Sequence, residues 1–314
     1  DGQASPSDIT QSLAKGARMH GAKIVEGVTV TGFRMDGRRI THVETTQGDI
    51  ACDKVVNCGG MWAREIGAMA GINVPLQPVK HQYIVTEKID GLSSDAPTLR
   101  DPDRRTYFKE EVGGLVMGGY EPNPQGWVTG DIPKNWEFRL FDDDYDHFGQ
   151  HLEQAIARVP ALEHTGVKQM INGAESFTPD GNFILGPASE CANMFVGAGF
   201  NAFGIASGGG AGGGVFGADA EGSGPVWGDV VRHVAPGGFV GSAGDCGGAG
   251  AVGGGLGRDS RPFGAGGGGV GSAFLGLVAS GIWMRDAVLG CLLGTAVGDA
   301  AAARQAQERG FGFV

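Results

Sequence analysis

The sequence predicts a mixed α/β fold, in which an antiparallel sheet interrupts an α/β domain and a glycine-rich tail follows. Residues 54–60 (KVVNCGG) form an apolar run that ends in glycines and leads into a helical pattern over residues 62–70, as in α/β nucleotide-binding sheets. Residues 73–172 carry strands with period-two patterning instead. Glycine then fills 27 of the 66 residues from 208 to 273, too many for a packed domain.

The first stretch, residues 1–72, begins with a helical pattern over residues 7–20, with Ser7 or Asp8 as the expected N-cap. Short β-like runs separated by turn residues follow and predict a small meander. These runs cover residues 23–25, 28–33, 40–45, 49–52 and 54–57.

The second stretch, residues 73–172, contains predicted strands followed by a helix from about Asp143 to Val159 with one apolar face. The strands lie at residues 81–86, 105–109 and 114–117. Residues 173–212 return to the α/β style, so we interpret the middle stretch as a domain inserted into the first.

The tail divides into a low-complexity segment, residues 213–273, and an apolar segment, residues 274–314, predicted to be helical. The glycines do not recur at every third position, which excludes a collagen helix. We expect most of this tail to be disordered, because it can bury little apolar surface.

Composition excludes several functions. The formal net charge of −11 and the absence of basic runs argue against nucleic-acid binding. The five cysteines are scattered and odd in number, which indicates reduced thiols of a cytosol-like compartment and neither a disulfide framework nor a zinc site. No run approaches the roughly 20 apolar residues of a spanning helix, so we expect no membrane segment.

Five strings in a fixed order resemble the FAD-dependent oxidoreductases of the D-amino-acid-oxidase superfamily, in the branch of dimethylglycine and sarcosine dehydrogenases. The strings begin the chain (DGQA) and recur at residues 55–63 (VVNCGGMWA), 112–119 (VGGLVMGG), 175–186 (ESFTPDGNFILG) and 197–207 (GAGFNAFGIAS). The resemblance implies an FAD-binding Rossmann-like domain with an inserted substrate domain, and oxidation of an N-methyl amine by FAD. It also implies folate as a partner of a downstream domain, and a cytoplasmic location, or the mitochondrial matrix in a eukaryote.

The sequence also departs from this family. The family's Gly-x-Gly-x-x-Gly loop, which holds the FAD diphosphate at a helix N-terminus, matches none of the glycine runs here, because none follows a first strand. We therefore expect a fragment with little or no activity of its own. Residues 288–299 resemble the opening helix of ADP-ribosylglycohydrolases, or form a plain apolar helix with small residues. One hypothesis derives residues 213–314 from a shifted reading frame or a gene junction. The alternative function is a non-catalytic interaction module whose C-terminal apolar helix binds a partner.

His81 and Tyr107 are the candidate catalytic residues. Both lie on predicted strands of the inserted domain, which the family places over the flavin. Histidine titrates near neutral pH, so it is suited to accept a proton from an ammonium substrate. A structural histidine and a cross-strand aromatic residue are the alternatives. The remaining histidines lack such a context and are expected at the surface; they are His20, His42, His147, His151, His164 and His233.

The resemblance also implies the residues that contact FAD. A glycine turn before a small-residue helix would face the flavin pyrimidine, where backbone N–H groups favour negative charge. A Pro-Asp-Gly turn would lie beside the ribityl chain, a strand end would line the cofactor, and Val28 would touch the adenine. The residues are Val28, Asn57, Gly59, Gly60, Pro179, Asp180, Gly181, Gly197, Gly199, Phe200, Asn201 and Gly204. Phe203 lines the substrate side or the core. The Asp-rich loop with Arg100, Arg104 and Arg105 receives no assigned role.

Overall fold

The computed structural model describes residues 5–136, 139–221 and 311–313. The α-helices are α1 (Pro6–Met19), α2 (Ala63–Met69), α3 (Tyr145–Arg158) and α4 (Gly204–Glu221), with 3-10 turns at Gly60–Trp62 and Pro160–His164. The strands are β1 (Val30–Asp36), β2 (Arg39–Thr45), β3 (Ile50–Ala51), β4 (Lys54–Asn57), β5 (Gln77–Thr86), β6 (Leu99–Asp101), β7 (Thr106–Glu111), β8 (Gly114–Gly119), β9 (Gln125–Gly126), β10 (Val167–Phe177), β11 (Ile184–Pro187), β12 (Met194–Ala198) and β13 (Phe311–Phe313).

These strands form three sheets. An antiparallel sheet has the order β1-β2-β3, and an antiparallel six-stranded sheet has the order β10-β5-β8-β7-β6, with β9 beside β5. The third sheet has the order β11-β12-β4-β13, in which β4 runs parallel to both of its neighbours. The mixed α/β architecture with antiparallel sheets is therefore confirmed.

Helix α1 begins earlier than predicted. Ser5, and not Ser7 or Asp8, is the N-cap, because its hydroxyl accepts a hydrogen bond from the Asp8 amide at 3.4 Å. Pro6 occupies the first helical position, where its missing N–H costs nothing.

The strand β4 lies in the third sheet, so the prediction that residues 54–57 belong to the meander is wrong. Its side chains are buried from Val55 to Asn57, and it pairs with β12, which is buried throughout. The meander keeps only β1 to β3, and residues 23–25 form no strand. The prediction of a buried strand that leads through glycines into a helix is confirmed by β4, the 3-10 turn and α2.

The six-stranded sheet has two different faces because side chains alternate along a strand. On β5, Gln82 and Ile84 point into a core that includes Phe148 of α3. His81 and Tyr83 point to the opposite face, which is open. Strand β10 pairs with β5 over its length and continues to residue 177, past the predicted domain boundary at 172.

The C-terminal predictions lie mostly outside the described residues, as do the candidate interaction helix, the ADP-ribosylglycohydrolase-like segment and His233. Helix α4 continues to Glu221, so an ordered helix replaces the start of the predicted low-complexity segment at residue 213. Residues 311–313 form a strand on the free edge of β4, where a helical tail was expected. Among the described helices, none is both long and apolar enough to cross a membrane.

Candidate functional site

A cavity of about 1170 Å³ lies between the open face of the six-stranded sheet and the start of α4. The sheet contributes His81, Tyr83, Tyr107, Tyr120 and Glu175, and the other wall includes residues 202–205 and the start of α1. Both predicted catalytic residues therefore face one cavity together with the turn that precedes α4.

Tyr107 reaches the cavity because the neighbouring strand carries a glycine opposite it. Tyr107 pairs with Gly118 across β7 and β8. A Cβ atom on Gly118 would lie 2.9 Å from Cε1 of Tyr107 and closer still to its hydroxyl. Burial raises the pKa of Tyr107 above its usual value, so the phenol stays neutral and keeps its proton near neutral pH.

His81 forms a buried pair with Glu121, the second residue after β8. Nδ1 of His81 lies 3.0 Å from Oε2 of Glu121, and the side chains are only 8% and 3% exposed. Burial disfavours the charged imidazole, but the hydrogen bond and charge of Glu121, with the charge of Glu175, outweigh it and raise the pKa of His81. His81 also forms part of the cavity wall.

The expectation that His151 lies at the surface is wrong. It sits on the buried face of α3, 3% exposed, with Nε2 3.8 Å from Oε1 of Glu121. Burial favours the neutral acid, but contacts with His151 and His81 outweigh it and lower the pKa of Glu121 to about 2. The sequence carried a signal, since His151 follows Phe148 by three residues on the apolar helix face.

Glu175 is a second carboxylate on the cavity wall. It lies on β10 and is half-buried, and burial raises its pKa although the charge of His81 and the amide of Ala202 act in the opposite direction. Neither Glu175 nor Glu121 was predicted. Each is an acidic residue within or two positions after a string that matches the family, which is the signal that could have identified it.

Arg100 covers one side of the cavity. Its guanidinium carbon lies 4.6 Å from the ring centre of Phe203 and 5.1 Å from that of Tyr120. The two rings stack at 5.8 Å. Arg104 instead pairs with Asp101 at 3.1 Å, so of the three arginines in this loop Arg100 is the one stacked on the cavity aromatics.

The glycine turn before α4 is tied to the Pro-Asp-Gly turn by Asn201. Its Oδ1 accepts the Thr178 amide at 2.9 Å, and its Nδ2 donates to the Thr178 hydroxyl at 3.2 Å. Asn201 and Ala202 adopt positive φ angles of 51° and 67°, which turn the chain into α4 and bring Gly204 to the cavity. The amide of Asn201 therefore joins two loops.

The other predicted cofactor residues lie away from the cavity lining. Asn57 is buried and closes the loop after β4, since Nδ2 donates to Ala63 O at 2.9 Å and Oδ1 accepts the Gly59 amide at 3.1 Å. Val28 belongs to the apolar core beside the first sheet, and Gly197 is buried on β12. Gly60 begins the 3-10 turn after β4. The remaining residues lie in the two turns that meet at Thr178; they are Pro179, Asp180, Gly181, Gly199 and Phe200.

Comparison with known proteins accounts for this arrangement. The family model described as "FAD dependent oxidoreductase" (DAO) matches residues 1–215. The chain belongs to this family. Mouse mitochondrial sarcosine dehydrogenase is 43% identical over 217 residues, which are 68% of this chain and 23% of that protein. Mouse mitochondrial dimethylglycine dehydrogenase is 36% identical over 220 residues, which are 68% of this chain and 25% of that protein.

Among solved structures, L-proline dehydrogenase from P. horikoshii is 28% identical with a TM-score of 0.55, covering 64% of this chain and 51% of that one. The predicted resemblance to sarcosine and dimethylglycine dehydrogenases is thus confirmed. The chain spans only about a quarter of the length of these two curated relatives.

FAD is the cofactor of this family, and the turn before α4 lies close against the Pro-Asp-Gly turn. A Cβ atom on Gly199 would lie 2.5 Å from Cγ2 of Thr178, so only glycine allows the two turns to approach. Ala202 and Gly204 lie in the cavity wall, as His81 does. The start of α4 therefore brings backbone amides to the cavity, the kind of donor that a flavin pyrimidine would take.

Proposed function

We propose that this chain forms the substrate-binding side of an FAD-dependent oxidoreductase that demethylates an N-methyl glycine derivative, either sarcosine or dimethylglycine. The observation that carries the proposal is the shared cavity, in which His81, Tyr107 and Glu175 face the start of α4. The identity to sarcosine and dimethylglycine dehydrogenases supports the choice of substrate.

The cavity offers complementary charges to an amino acid. Arg100 provides a guanidinium for the substrate carboxylate, and guanidinium groups bind carboxylates through paired hydrogen bonds. Glu175 and the Glu121–His81 pair lie on the sheet side and favour a cationic amine. A short zwitterion can therefore span the cavity in one orientation.

His81 would prepare the substrate by taking a proton from its ammonium group, since an amine must be neutral to be oxidised. FAD, when bound, would accept a hydride equivalent from the carbon next to the nitrogen. Tyr107 keeps its proton and would hold the substrate by donating a hydrogen bond. The rings of Tyr120 and Phe203 would exclude water from the reacting carbon.

Calorimetric titration of the full chain with sarcosine and dimethylglycine tests the substrate side directly. We expect both to bind, and binding to weaken about tenfold or more in His81→Gln and Arg100→Gln, a loss of about 1.4 kcal/mol or more. His164→Gln, at an exposed position, is the matched control and is expected to bind as the wild type does. Methylamine, which lacks the carboxylate, is expected not to bind.

Adding FAD and recording the flavin spectrum under anaerobic conditions tests the reaction. Sarcosine is expected to bleach any bound flavin, whereas trimethylglycine, which has no amine proton or lone pair, is not. We expect slow turnover by this polypeptide alone, because none of its glycine runs has the strand-turn-helix setting that holds the FAD diphosphate. A folded chain that binds no N-methyl amino acid, with or without FAD, contradicts the proposal.

A further inference from the structure

Of the two ring nitrogens of His81, one has a hydrogen-bond partner among the described residues. Nδ1 faces Oε2 of Glu121 at 3.0 Å, and within the described part of the chain no hydrogen bond engages Nε2. The imidazole also forms part of the cavity wall. Which nitrogen carries the proton therefore decides whether His81 presents a lone pair or an N–H to a bound molecule.

We propose that Glu121 is the positioning residue for His81: its carboxylate fixes the proton on Nδ1, so that Nε2 is left as the proton-accepting nitrogen for a substrate ammonium. An ionised carboxylate only accepts hydrogen bonds, so the nitrogen that faces it must be the donor. The same carboxylate stabilises the imidazolium that forms when Nε2 takes a proton, as in other carboxylate–histidine pairs. The catalytic meaning rests on the proposed function, whereas the tautomer itself does not.

The surroundings of His81 support this arrangement from every element packed against it. Glu121 follows β8, Glu175 lies on β10 in the cavity wall, and the rings of Tyr120 and Phe177 lie 5.7 Å and 5.8 Å from the imidazole. The pKa of Glu121 is lowered and that of Glu175 is raised, and the charges of both affect the pKa of His81. Of the two carboxylates, only Glu121 is hydrogen-bonded to the imidazole. Glu121 therefore sets the protonated nitrogen, and Glu175 adds charge at a distance.

The second oxygen of Glu121 faces another histidine, on α3. Oε1 of Glu121 and Nε2 of His151 are buried without a hydrogen-bond partner among the described residues, and they lie 3.8 Å apart. Gly119 leaves the space for this approach, because a Cβ atom there would lie 2.5 Å from Nδ1 of His151. The carboxylate therefore lies between two histidines, with Oε2 hydrogen-bonded to His81 and Oε1 3.8 Å from His151.

Nuclear magnetic resonance of the full chain labelled at histidine with ¹³C and ¹⁵N tests the proposal without turnover. The His81 signals are assigned by their loss in His81→Gln. In the wild type, above the titration midpoint of His81, we expect the ¹⁵N shifts of a ring protonated at Nδ1. Glu121→Gln keeps the size of the side chain but removes its charge, and is expected to lower the His81 midpoint by about one unit or more.

The matched control is Glu163→Gln, which removes an exposed carboxylate and is expected to leave the His81 midpoint in place. A wild-type His81 protonated at Nε2 overturns the proposal, and so does a folded Glu121→Gln variant with an unchanged midpoint. If Glu121→Gln does not fold, the wild-type tautomer alone decides. Failure to bind sarcosine would contradict the proposed function and leave these outcomes as they are, so the two ideas fail separately.

Discussion

The third sheet and the six-stranded sheet bury polar groups in different ways. Around the third sheet the buried groups are neutral amides, Asn57 and Asn193, whose side chains complete backbone hydrogen bonds. Beside the six-stranded sheet, which also buries neutral groups such as Gln82 and Asn172, ionisable groups meet one another, as His81, Glu121 and His151 do. A neutral amide can bond a loop without the free-energy cost of burying a charge. A buried carboxylate needs a cationic or hydrogen-bond-donating partner to remain ionised.

The buried amides therefore have a structural role, whereas the buried ionisable groups belong to the candidate site. The strings at residues 55–63 and 175–186 both match the family. The side chain of Asn57, in the first string, makes its hydrogen bonds within its own loop, whereas Glu175, in the second, faces the cavity. Substitutions around the third sheet are expected to change stability without changing substrate binding. Substitutions around the six-stranded sheet are expected to change binding or the pH dependence of stability.

Asn193→Ala is expected to have the largest effect on stability. Its side chain accepts the Ile40 amide at 2.9 Å and donates to Ile40 O at 2.8 Å and to Asp53 O at 2.7 Å. Alanine leaves these backbone groups without partners in a buried region, at a cost of about 4 kcal/mol in the free energy of unfolding. Urea denaturation measures it, and calorimetry should show unchanged sarcosine affinity for the folded fraction.

The matched control for this variant is Asn182→Ala. Asn182 is exposed and its side chain makes one hydrogen bond, to Asp180 O at 3.3 Å, so the loss should stay below about 1 kcal/mol. Equal losses for the two variants would mean that burial of the Asn193 amide does not stabilise the third-sheet region.

Gly118→Ala is expected to act on the cavity. The added methyl group occupies the space of the Tyr107 ring, so the ring must move, at a cost of about 2 kcal/mol. Sarcosine affinity should fall about tenfold, since Tyr107 is displaced from the wall. In a Tyr107→Ala background the same substitution should cost little, because the obstructing ring is gone.

Gly149→Ala, on α3, serves as the control for this variant. No atom outside its own helix lies within 4 Å of the added methyl group, and alanine favours a helix over glycine by up to about 1 kcal/mol. It should therefore stabilise the chain and leave binding unchanged. Weaker binding in Gly149→Ala would show that the calorimetric signal reports general stability and not the cavity.

The sequence predicted the local features of the chain, such as strands and turns, but not the contacts between side chains that are distant in sequence. Period-two patterning predicted the strands that carry His81 and Tyr107, and the family resemblance implied the glycine turn before α4. Glu121, however, contacts His81 across 40 residues of sequence, and His151 reaches Glu121 from another element. No local pattern encodes such contacts, because the first depends on the pairing of β5 with β8 and the second on how α3 packs against the sheet. The hydrogen bond between Thr178 and Asn201, which joins residues 23 apart in sequence, is a further contact of this kind.

The smallest expected effect is a pH-dependent difference in stability between the wild type and Glu121→Gln. The pKa of Glu121 falls from 4.5 to about 2 on folding, so its contribution is complete above pH 4.5 and is lost as the pH falls toward 2. The pKa of His81 rises from 6.5, so its contribution is complete below pH 6.5 and is lost as the pH rises through the higher value. Glutamine keeps a hydrogen bond but no charge, so the wild type should be more stable by about 1 kcal/mol between these limits.

Urea denaturation of the two proteins across this pH range measures the difference. The difference should be largest between pH 4.5 and pH 6.5 and shrink on both sides, where either Glu121 is neutralised or His81 loses its proton. Glu163→Gln, which lacks a buried partner, should show a flat difference near zero. A flat profile for Glu121→Gln as well would mean that this buried pair responds to pH no more than a surface carboxylate does, and that the six-stranded sheet tolerates charge for a reason other than the pairing of His81 with Glu121.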